Sequence, residues 1–317
     1  MAFGVPASAA DPDDWCGPMP LGVGLPWLPG CDPELYRSGL IDFVEVTPDI
    51  LCRPHRDRPG VELDPWLLEA ATNVCGHLPI VVHGVELSIG SAGHWNDDYV
   101  AMLADFQSLW PFRWHSEHLH FQTIDKGDGC GETPIGVPLP LPCTREAVAL
   151  VAPRAARLGA MFGVPFLLEN GAHYLGELPS DPDLADEARF LNAVAGAGEC
   201  GLLLDLHNLH CNALNNGLDL AEFLGTLHLD RVGEIHVAGG HWAEGFHMDA
   251  HDGRVPDPVW ALLDAVLPLC PNAGGVVFEI LPQHARRLGS DAIAEQLTLA
   301  RIAWAAHHEP AAEPCPA

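Results

Sequence analysis

Eight short apolar runs recur along the chain, and longer segments with helix-forming patterns separate them. β-branched and bulky apolar side chains dominate most of these runs, as they do in strands that are covered on both faces of a sheet. The runs occupy residues 21–25, 41–46, 79–83, 112–118, 164–169, 201–206, 233–237 and 275–280. Because strands that alternate with helices form parallel sheets, this pattern predicts an α/β protein with a single (β/α)8 TIM barrel.

Helix-start signals lie in the segments between the runs. Asp32-Pro33, Asp64-Pro65 and Asp257-Pro258 each place a side-chain acceptor before a proline, as at the N-cap and first position of a helix. The chain has 317 residues, which is enough for one domain of barrel size.

We expect the barrel to span residues 20–306, with a tail at residues 307–317. Residues 1–19 are rich in Pro, Ala and Asp, and we expect them to be disordered. One insertion, residues 125–142, follows the fourth run and contains too much Gly and Pro to predict regular structure. It is expected to form a loop over the mouth of the barrel.

The composition argues against several classes of partner and location. The formal net charge is −28, so nucleic acid and anionic membranes are disfavoured as partners. The ten cysteines form no CxxC pair, which is typical of reduced thiols in a cytoplasmic protein. The N-terminal residues lack the basic and apolar regions of a signal peptide, and we expect no membrane span.

Polar side chains follow six of the predicted strands at the point where each strand ends. They are His83, Glu117, His118, Glu169, Asp205, Asn208, His210, His236 and Glu279. Asp249 and His251 follow the seventh strand and lie two residues apart, so both can face one metal ion. Since the carboxyl ends of parallel barrel strands converge at one mouth, these side chains are predicted to form a common site.

The chemistry of these side chains predicts a metal centre. Four carboxylates buried together would repel each other, and metal ions are the natural counter-charge. Imidazoles and carboxylates without cysteine suit iron, manganese or zinc. About nine ligands exceed the coordination of one ion, which indicates two or three ions. These residues alone leave both hydrolytic zinc and redox-active iron open.

Six sequence blocks resemble the signature blocks of the DUF692 family, the multinuclear non-haem iron-dependent oxidative enzymes. They are VVHGVELSIGS (81–91), WHSEHL (114–119), FLLENGAHYL (166–175), LLLDLHNLHCNALNNG (202–217), EIHVAGGHW (234–242) and MDAHDGRVPDPVW (248–260). The resemblance implies a TIM barrel with two or three iron ions, mixed Fe(II)/Fe(III), and O2 as co-substrate. It implies oxidation of a ribosomally synthesised precursor peptide, at cysteine residues.

The same resemblance implies roles for individual residues. By motif, the iron ligands are His83, His118, Glu169, Asp205, Asn208, His236, Asp249, His251 and Glu279. The catalytic candidates are Glu117, which would orient His118 or a bound water, and His210. Either His207 or His210 could replace Asn208 as a ligand, whereas His241 and His247 are expected to lie outside the ligand set. The implied partners are a cysteine-containing precursor peptide and a leader-binding protein.

Two alternatives remain from the sequence. One is a zinc or manganese hydrolase or isomerase with a TIM barrel, of the endonuclease IV and xylose isomerase kind. The other is a non-catalytic metal-buffering or peptide-binding protein, for which eighteen histidines would provide ligands. Metal content and oxygen consumption distinguish these alternatives from an iron-dependent oxidative enzyme.

Overall fold

Eight parallel strands close into a barrel in the structure, a computed structural model that describes residues 15–57, 60–125, 132–175 and 178–308. Each strand pairs with its neighbours in sequence, and the eighth pairs with the first. The strands are β1 (Gly22–Pro26), β2 (Phe43–Val46), β3 (Ile80–Gly84), β4 (His115–His118), β5 (Phe166–Glu169), β6 (Gly201–Asp205), β7 (Val232–Val237) and β8 (Gly275–Phe278). The predicted TIM barrel is therefore confirmed.

Helices occupy the segments between the strands. The α-helices are α1 (Pro65–Cys75), α2 (Asp97–Leu109), α3 (Arg145–Phe162), α4 (Glu187–Ala197), α5 (Leu206–Asn216), α6 (Leu220–Thr226), α7 (Asp257–Val266), α8 (Pro282–Leu288) and α9 (Ser290–His307). Short 3-10 helices span Pro33–Arg37, Pro48–Leu51, Leu229–Arg231 and Leu267–Leu269.

Two of the three predicted N-caps are confirmed. Asp32 accepts a hydrogen bond from the backbone N–H of Glu34, and Asp64 accepts from those of Trp66 and Leu67. The third prediction is wrong, because Asp257 is the first residue of α7 and extended Pro256 precedes it. In the first turn, the Asp257 carboxylate still interacts favourably with the helix dipole.

Three antiparallel hairpins extend from the barrel. They pair Cys52–Pro54 with Val61–Leu63, His120–Asp125 with Glu132–Pro140, and His241–Ala243 with Phe246–Met248. The second hairpin corrects the prediction that residues 125–142 lack regular structure; residues 126–131 lie outside the described residues. A two-stranded sheet leaves alternate N–H groups unpaired, so its strands can include proline.

An apolar cluster fills the barrel interior below the strand ends that carry the polar residues. It contains Phe43, Val81, Trp114, Leu167, Leu203 and Val277, with Trp15 and Leu21 packed against it. The Phe43 and Trp114 rings meet edge to face at 5.3 Å. A Cβ atom at Gly24 would lie 2.5 Å from the Phe43 ring, so glycine leaves the space that this ring needs.

The first described residues pack against the barrel, although they precede the predicted start of the domain at residue 20. Trp15 and Pro18, within the segment expected to be disordered, pack against the amino-terminal ends of β6 and β7, because Gly201 and Gly233 leave room for them. Residues 1–14 and 309–317 lie outside the described residues, so the limits of the domain at residues 20 and 306 stay a prediction.

Within the described ranges, we find no helix that combines the length and apolar character needed to cross a lipid bilayer.

Candidate metal centre

All nine predicted ligands lie in one connected cluster at the carboxyl end of the barrel. The strands β3 to β7 and the segments that follow β6, β7 and β8 supply them. Asp205 and His236 are fully buried, and His83 and Glu169 are each 2% exposed. Because alternate strand residues point to opposite faces, one inward position at the end of each strand suffices to bring these side chains together.

His83, His118 and Glu169 form the first group within the cluster. The Nε2 atoms of the two histidines lie 3.2 Å apart, and Glu169 Oε2 lies 3.4 Å from His83 Nε2 and 2.5 Å from His118 Nδ1. On the other side of the His83 ring, Nδ1 lies 3.0 Å from Ser116 Oγ. Ser116 therefore holds His83 with its Nε2 atom toward Glu169.

His236, Glu279, His251 and Asp249 form the second group. Glu279 joins the two histidines, with Oε2 3.0 Å from His236 Nδ1 and Oε1 3.2 Å from His251 Nδ1. His251 Nε2 lies 2.9 Å from Asp249 Oδ1. The predicted pairing of Asp249 with His251 is thus present, and Glu279 connects that pair to β7.

Asp205 and Asn208 lie between the two groups. Asp205 Oδ2 is 4.0 Å from His236 Nδ1, and Asn208 Nδ2 donates to Glu169 Oε1 at 3.2 Å. Asn170 fixes this region, because its side chain accepts from the Asp205 N–H and donates to the Asp205 carbonyl. Asn208, rather than His207 or His210, therefore contacts Glu169.

Asp205 and Asn208 each have one buried oxygen with no hydrogen-bond partner among the described residues. These oxygens are Asp205 Oδ2 and Asn208 Oδ1. A buried acceptor without a partner is costly, and a bound cation would satisfy both atoms. The residues present therefore fit a group of metal ions with nitrogen and oxygen ligands.

The pKa values of the carboxylates and imidazoles in the cluster also indicate that a cation would stabilise it. Burial, followed by the neighbouring Asp249 and Glu169 carboxylates, raises the pKa of Asp205 well above its usual value. Burial lowers the pKa of His83, and the nearby His118 and His236 lower it further. Burial alone would lower the pKa of His118, but the Glu169 carboxylate outweighs it and raises that pKa to about 9. A metal ion would compensate the carboxylates without requiring charged imidazoles.

Sequence analysis missed two carboxylates that approach His236 from the interior of the barrel. Glu45 Oε2 lies 2.9 Å from His236 Nε2, and Glu234 Oε1 lies 4.0 Å from the same atom. Trp114 Nε1 donates to Glu234 Oε2 at 2.9 Å. Burial and the Glu45 charge raise the pKa of Glu234 to about 8. The available signal was a carboxylate between apolar neighbours in each run.

The two catalytic candidates lie away from the metal-facing side of the cluster. Glu117 Oε1 contacts His115 Nε2 at 2.8 Å, because Glu117 and His115 share the face of β4 opposite His118. This geometry does not support the predicted orientation of His118 by Glu117. His210 lies on α5, with its ring 5.4 Å from that of His247. Burial and the neighbouring histidines lower the pKa of His210 to about 4.

A cavity of about 370 Å³ opens beside the cluster. His118, Glu169, Asn208 and Asp249 border it on the cluster side. The hairpin formed by His120–Asp125 and Glu132–Pro140 supplies an apolar wall that includes Val137 and Leu139. The insertion predicted to cover the barrel mouth therefore does border the candidate site.

Sequence comparisons place the chain among peptide-modifying enzymes. A family profile described as "RiPP precursor modification enzyme MbnB/TglH/ChrH" matches residues 22–280. A UPF0276 protein of Caulobacter vibrioides is 33% identical over 291 residues, which are 90% of this chain and 95% of that protein. A UPF0276 protein of Rhizorhabdus wittichii is 35% identical over 227 residues, 72% of this chain and 75% of that relative.

Solved structures with a similar fold are more distant in sequence. The IOLI protein with a binding zinc atom has a TM-score of 0.55 at 13% identity and covers 91% of this chain and 99% of its own. A putative sugar phosphate isomerase/epimerase from Anabaena variabilis has a TM-score of 0.51 at 13% identity, and the match covers 90% of this chain and 99% of that protein. These likenesses concern the barrel alone. The profile match and the relatives show that the chain belongs to the MbnB/TglH/ChrH family of RiPP precursor modification enzymes, which confirms the resemblance to DUF692.

Proposed function

We propose that this chain is a multinuclear iron enzyme that uses O2 to oxidise cysteine residues of a ribosomally synthesised precursor peptide. The observation that carries the proposal is the continuous cluster of nine nitrogen and oxygen ligands beside a cavity of about 370 Å³. Family membership supports a peptide substrate. The mixture of imidazole and carboxylate ligands is one that iron accepts.

The grouping of the side chains supports two or three metal ions, which we propose to be iron, mixed Fe(II)/Fe(III). His83, His118 and Glu169 would hold one ion, and His236, His251 and Glu279 would hold another. Asp205, Asn208 and Asp249 would complete these sites or hold a third ion. Iron bound here would supply one-electron chemistry and the activation of dioxygen.

The chain's own residues fix the ligands before any substrate arrives. Ser116 orients His83, and the Asn170 side chain holds the backbone of Asp205. The Asp249 N–H donates to the Tyr174 hydroxyl at 2.7 Å, which fixes the segment that carries Asp249. Ligands held in this way lose little conformational freedom on binding metal.

The cavity is suited to part of a peptide rather than to a large rigid cofactor. Its apolar wall from the hairpin would bind the substrate backbone and side chains and limit the access of water. His118 and Glu169 border the same cavity, so a cysteine side chain placed there would lie beside the first group of ligands.

The proposal includes a partner and a compartment. Cysteines at eight described positions are free thiols, which suits the reducing cytoplasm. A leader-binding protein would present the precursor peptide to the cavity. The net charge of −28 disfavours nucleic acid and anionic membranes as further partners.

The first test is metal analysis of the purified whole protein, together with oxidation of a cysteine-containing precursor peptide. We expect two or three irons per chain, and we expect His236→Ala to lose iron and activity. His241→Ala is the control, because His241 pairs with Asp252 at the surface. Turnover without O2 on zinc or manganese would instead identify a hydrolase or isomerase, and bound metal with no turnover of any such peptide would identify a metal-buffering protein.

A further inference from the structure

A second group of side chains suited to metal binding lies next to the nine proposed iron ligands. It lies between α5 and the hairpin formed by His241–Ala243 and Phe246–Met248. His207 and Cys211 are four residues apart on α5, so they share one face of the helix. His247 reaches them from the hairpin. His207 and Cys211 are fully buried, and His247 is 7% exposed.

The distances among these atoms suit a tetrahedral zinc ion. Cys211 Sγ lies 3.4 Å from His247 Nδ1, and 3.8 Å and 4.0 Å from the two ring nitrogens of His207. A zinc ion with ordinary bond lengths separates a thiolate sulfur from an imidazole nitrogen by about 3.6 Å. The observed distances lie on both sides of that value. Because the two His207 nitrogens are almost equidistant from Sγ, the His207 ring would have to rotate to direct Nε2 at the ion.

Neighbouring side chains already hold two of the ligands in place. His207 Nδ1 lies 2.7 Å from Asp249 Oδ1, an arrangement that leaves Nε2 to bind an ion. Asn215 holds the backbone of His247, because it accepts from the His247 N–H at 2.7 Å and donates to the His247 carbonyl at 2.9 Å. Carboxylate–histidine pairs of this kind are common behind metal ligands.

We propose that His207, Cys211 and His247 form a zinc site distinct from the iron ligands, with its fourth position open to water. The thiolate favours a softer ion than the imidazole and carboxylate cluster does. Zinc binding replaces the thiol proton, which passes to solvent. The site is joined to the iron cluster through one atom, because Asp249 Oδ1 contacts both His207 and His251.

Cobalt(II) provides a spectroscopic test on the whole protein. A cysteine thiolate bound to Co²⁺ gives a near-ultraviolet charge-transfer band, which the nine iron ligands cannot produce because none of them is a cysteine. In the iron-loaded protein, we expect this band to saturate at one equivalent, to disappear when Zn²⁺ is added in excess, and to be lost in Cys211→Ser. Cys75→Ser is the matched control, since Cys75 is also a fully buried helical thiol, and its Sγ donates to the Ala71 carbonyl of its own helix.

A second variant tests the zinc site if Cys211→Ser fails to fold. His247 lies on a surface hairpin, so His247→Gln should preserve the barrel and weaken zinc binding at least about 10-fold. Iron content, measured in parallel, should stay unchanged in His247→Gln, which separates this proposal from the proposed function. The zinc site is disproved if the band is absent, or if it persists unchanged in Cys211→Ser or His247→Gln; the three side chains then form only a thiol–imidazole hydrogen-bond network.

Discussion

His236 lies between carboxylates on both sides of its ring. Glu45 contacts Nε2 and Glu279 contacts Nδ1, at 2.9 Å and 3.0 Å. A ligating histidine typically donates its second ring N–H to a carboxylate, which fixes the tautomer and raises the basicity of the ligating nitrogen. Glu45 therefore has the position of a residue that orients His236, with Nδ1 left to face Glu279 and the metal.

Glu45→Gln is expected to weaken iron binding by about 10- to 100-fold, because the amide keeps the shape of the side chain but removes its charge. Competition with a chelator measures this loss of affinity. Glu62→Gln is the control, since Glu62 forms a partly exposed pair with Arg53 on the hairpin of Cys52–Pro54 and Val61–Leu63, away from the barrel strands. Equal iron affinity in Glu45→Gln and the parent protein would show that Glu45 has no part in holding His236.

Asp49 predicts a pH dependence of stability. Burial, followed by the charge of Glu117, raises the pKa of Asp49 to about 7 from 3.8. The folded chain then keeps a proton that the unfolded chain has released, so stability falls as the pH rises through this window. Asp49→Asn keeps an acceptor for the Val85 N–H and cannot ionise. Its melting temperature should exceed that of the parent by a few degrees at pH 8, and by less at pH 5.

Thermal unfolding at a series of pH values checks the Asp49 prediction. The difference between Asp49→Asn and the parent must grow with pH. A constant difference would mean that the pKa of Asp49 in the folded protein has its ordinary value, and a difference that shrinks as the pH rises would mean that this pKa is lowered.

The sequence predicted which residues form the cluster, but not the neighbouring side chains that contact them. The nine proposed ligands follow strands or lie in one short segment, so strand order alone brings them together. Glu45 and Glu234 could not be recognised in this way, because a carboxylate inside an apolar run gives no indication of its partner. The contact between Cys211 and His247 depends on how α5 packs against a hairpin, 36 residues away in sequence.

At the scale of elements, the hairpin that pairs His120–Asp125 with Glu132–Pro140 forms an apolar wall of the candidate site. The glycines and prolines of this segment predict a loop from local composition. The hairpin forms nevertheless, because its two strands pair with each other. The barrel strands were predictable for the opposite reason, since burial on both faces leaves a continuous apolar run. The start of α7 differed from the prediction by one residue, within the variation of one or two residues that is usual at helix ends.

Val137→Asp tests whether this hairpin binds the peptide. Val137 lines the cavity and is 55% exposed, so a charge there should not affect folding. We expect a several-fold increase in KM for the precursor peptide with unchanged kcat and iron content. Ile124→Asp is the control, because Ile124 is 39% exposed on the other strand of this hairpin and lies outside the cavity lining. If both variants have the parent's KM, the hairpin does not contact the substrate.

At the scale of the whole molecule, metal and fold stability are linked. The cluster leaves buried oxygens on Asp205 and Asn208 without a hydrogen-bond partner among the described residues. Ions that bind the folded chain alone stabilise it by mass action, by about 2.7 kcal/mol at one hundred times the dissociation constant. Removal of iron by a chelator should lower the melting temperature by several degrees, and added Fe(II) should restore it. An unchanged melting temperature after complete iron removal would contradict this account of the cluster.

The central claim is that the cluster couples iron and dioxygen to the oxidation of a peptide cysteine. Its most direct test measures O2 consumption and peptide mass together, with the iron-loaded whole protein and a cysteine-containing precursor peptide. We predict that O2 is consumed in fixed proportion to the peptide modified, and that a zinc-loaded sample consumes none. Peptide modification without O2, or equal turnover by the zinc-loaded protein, would contradict the claim.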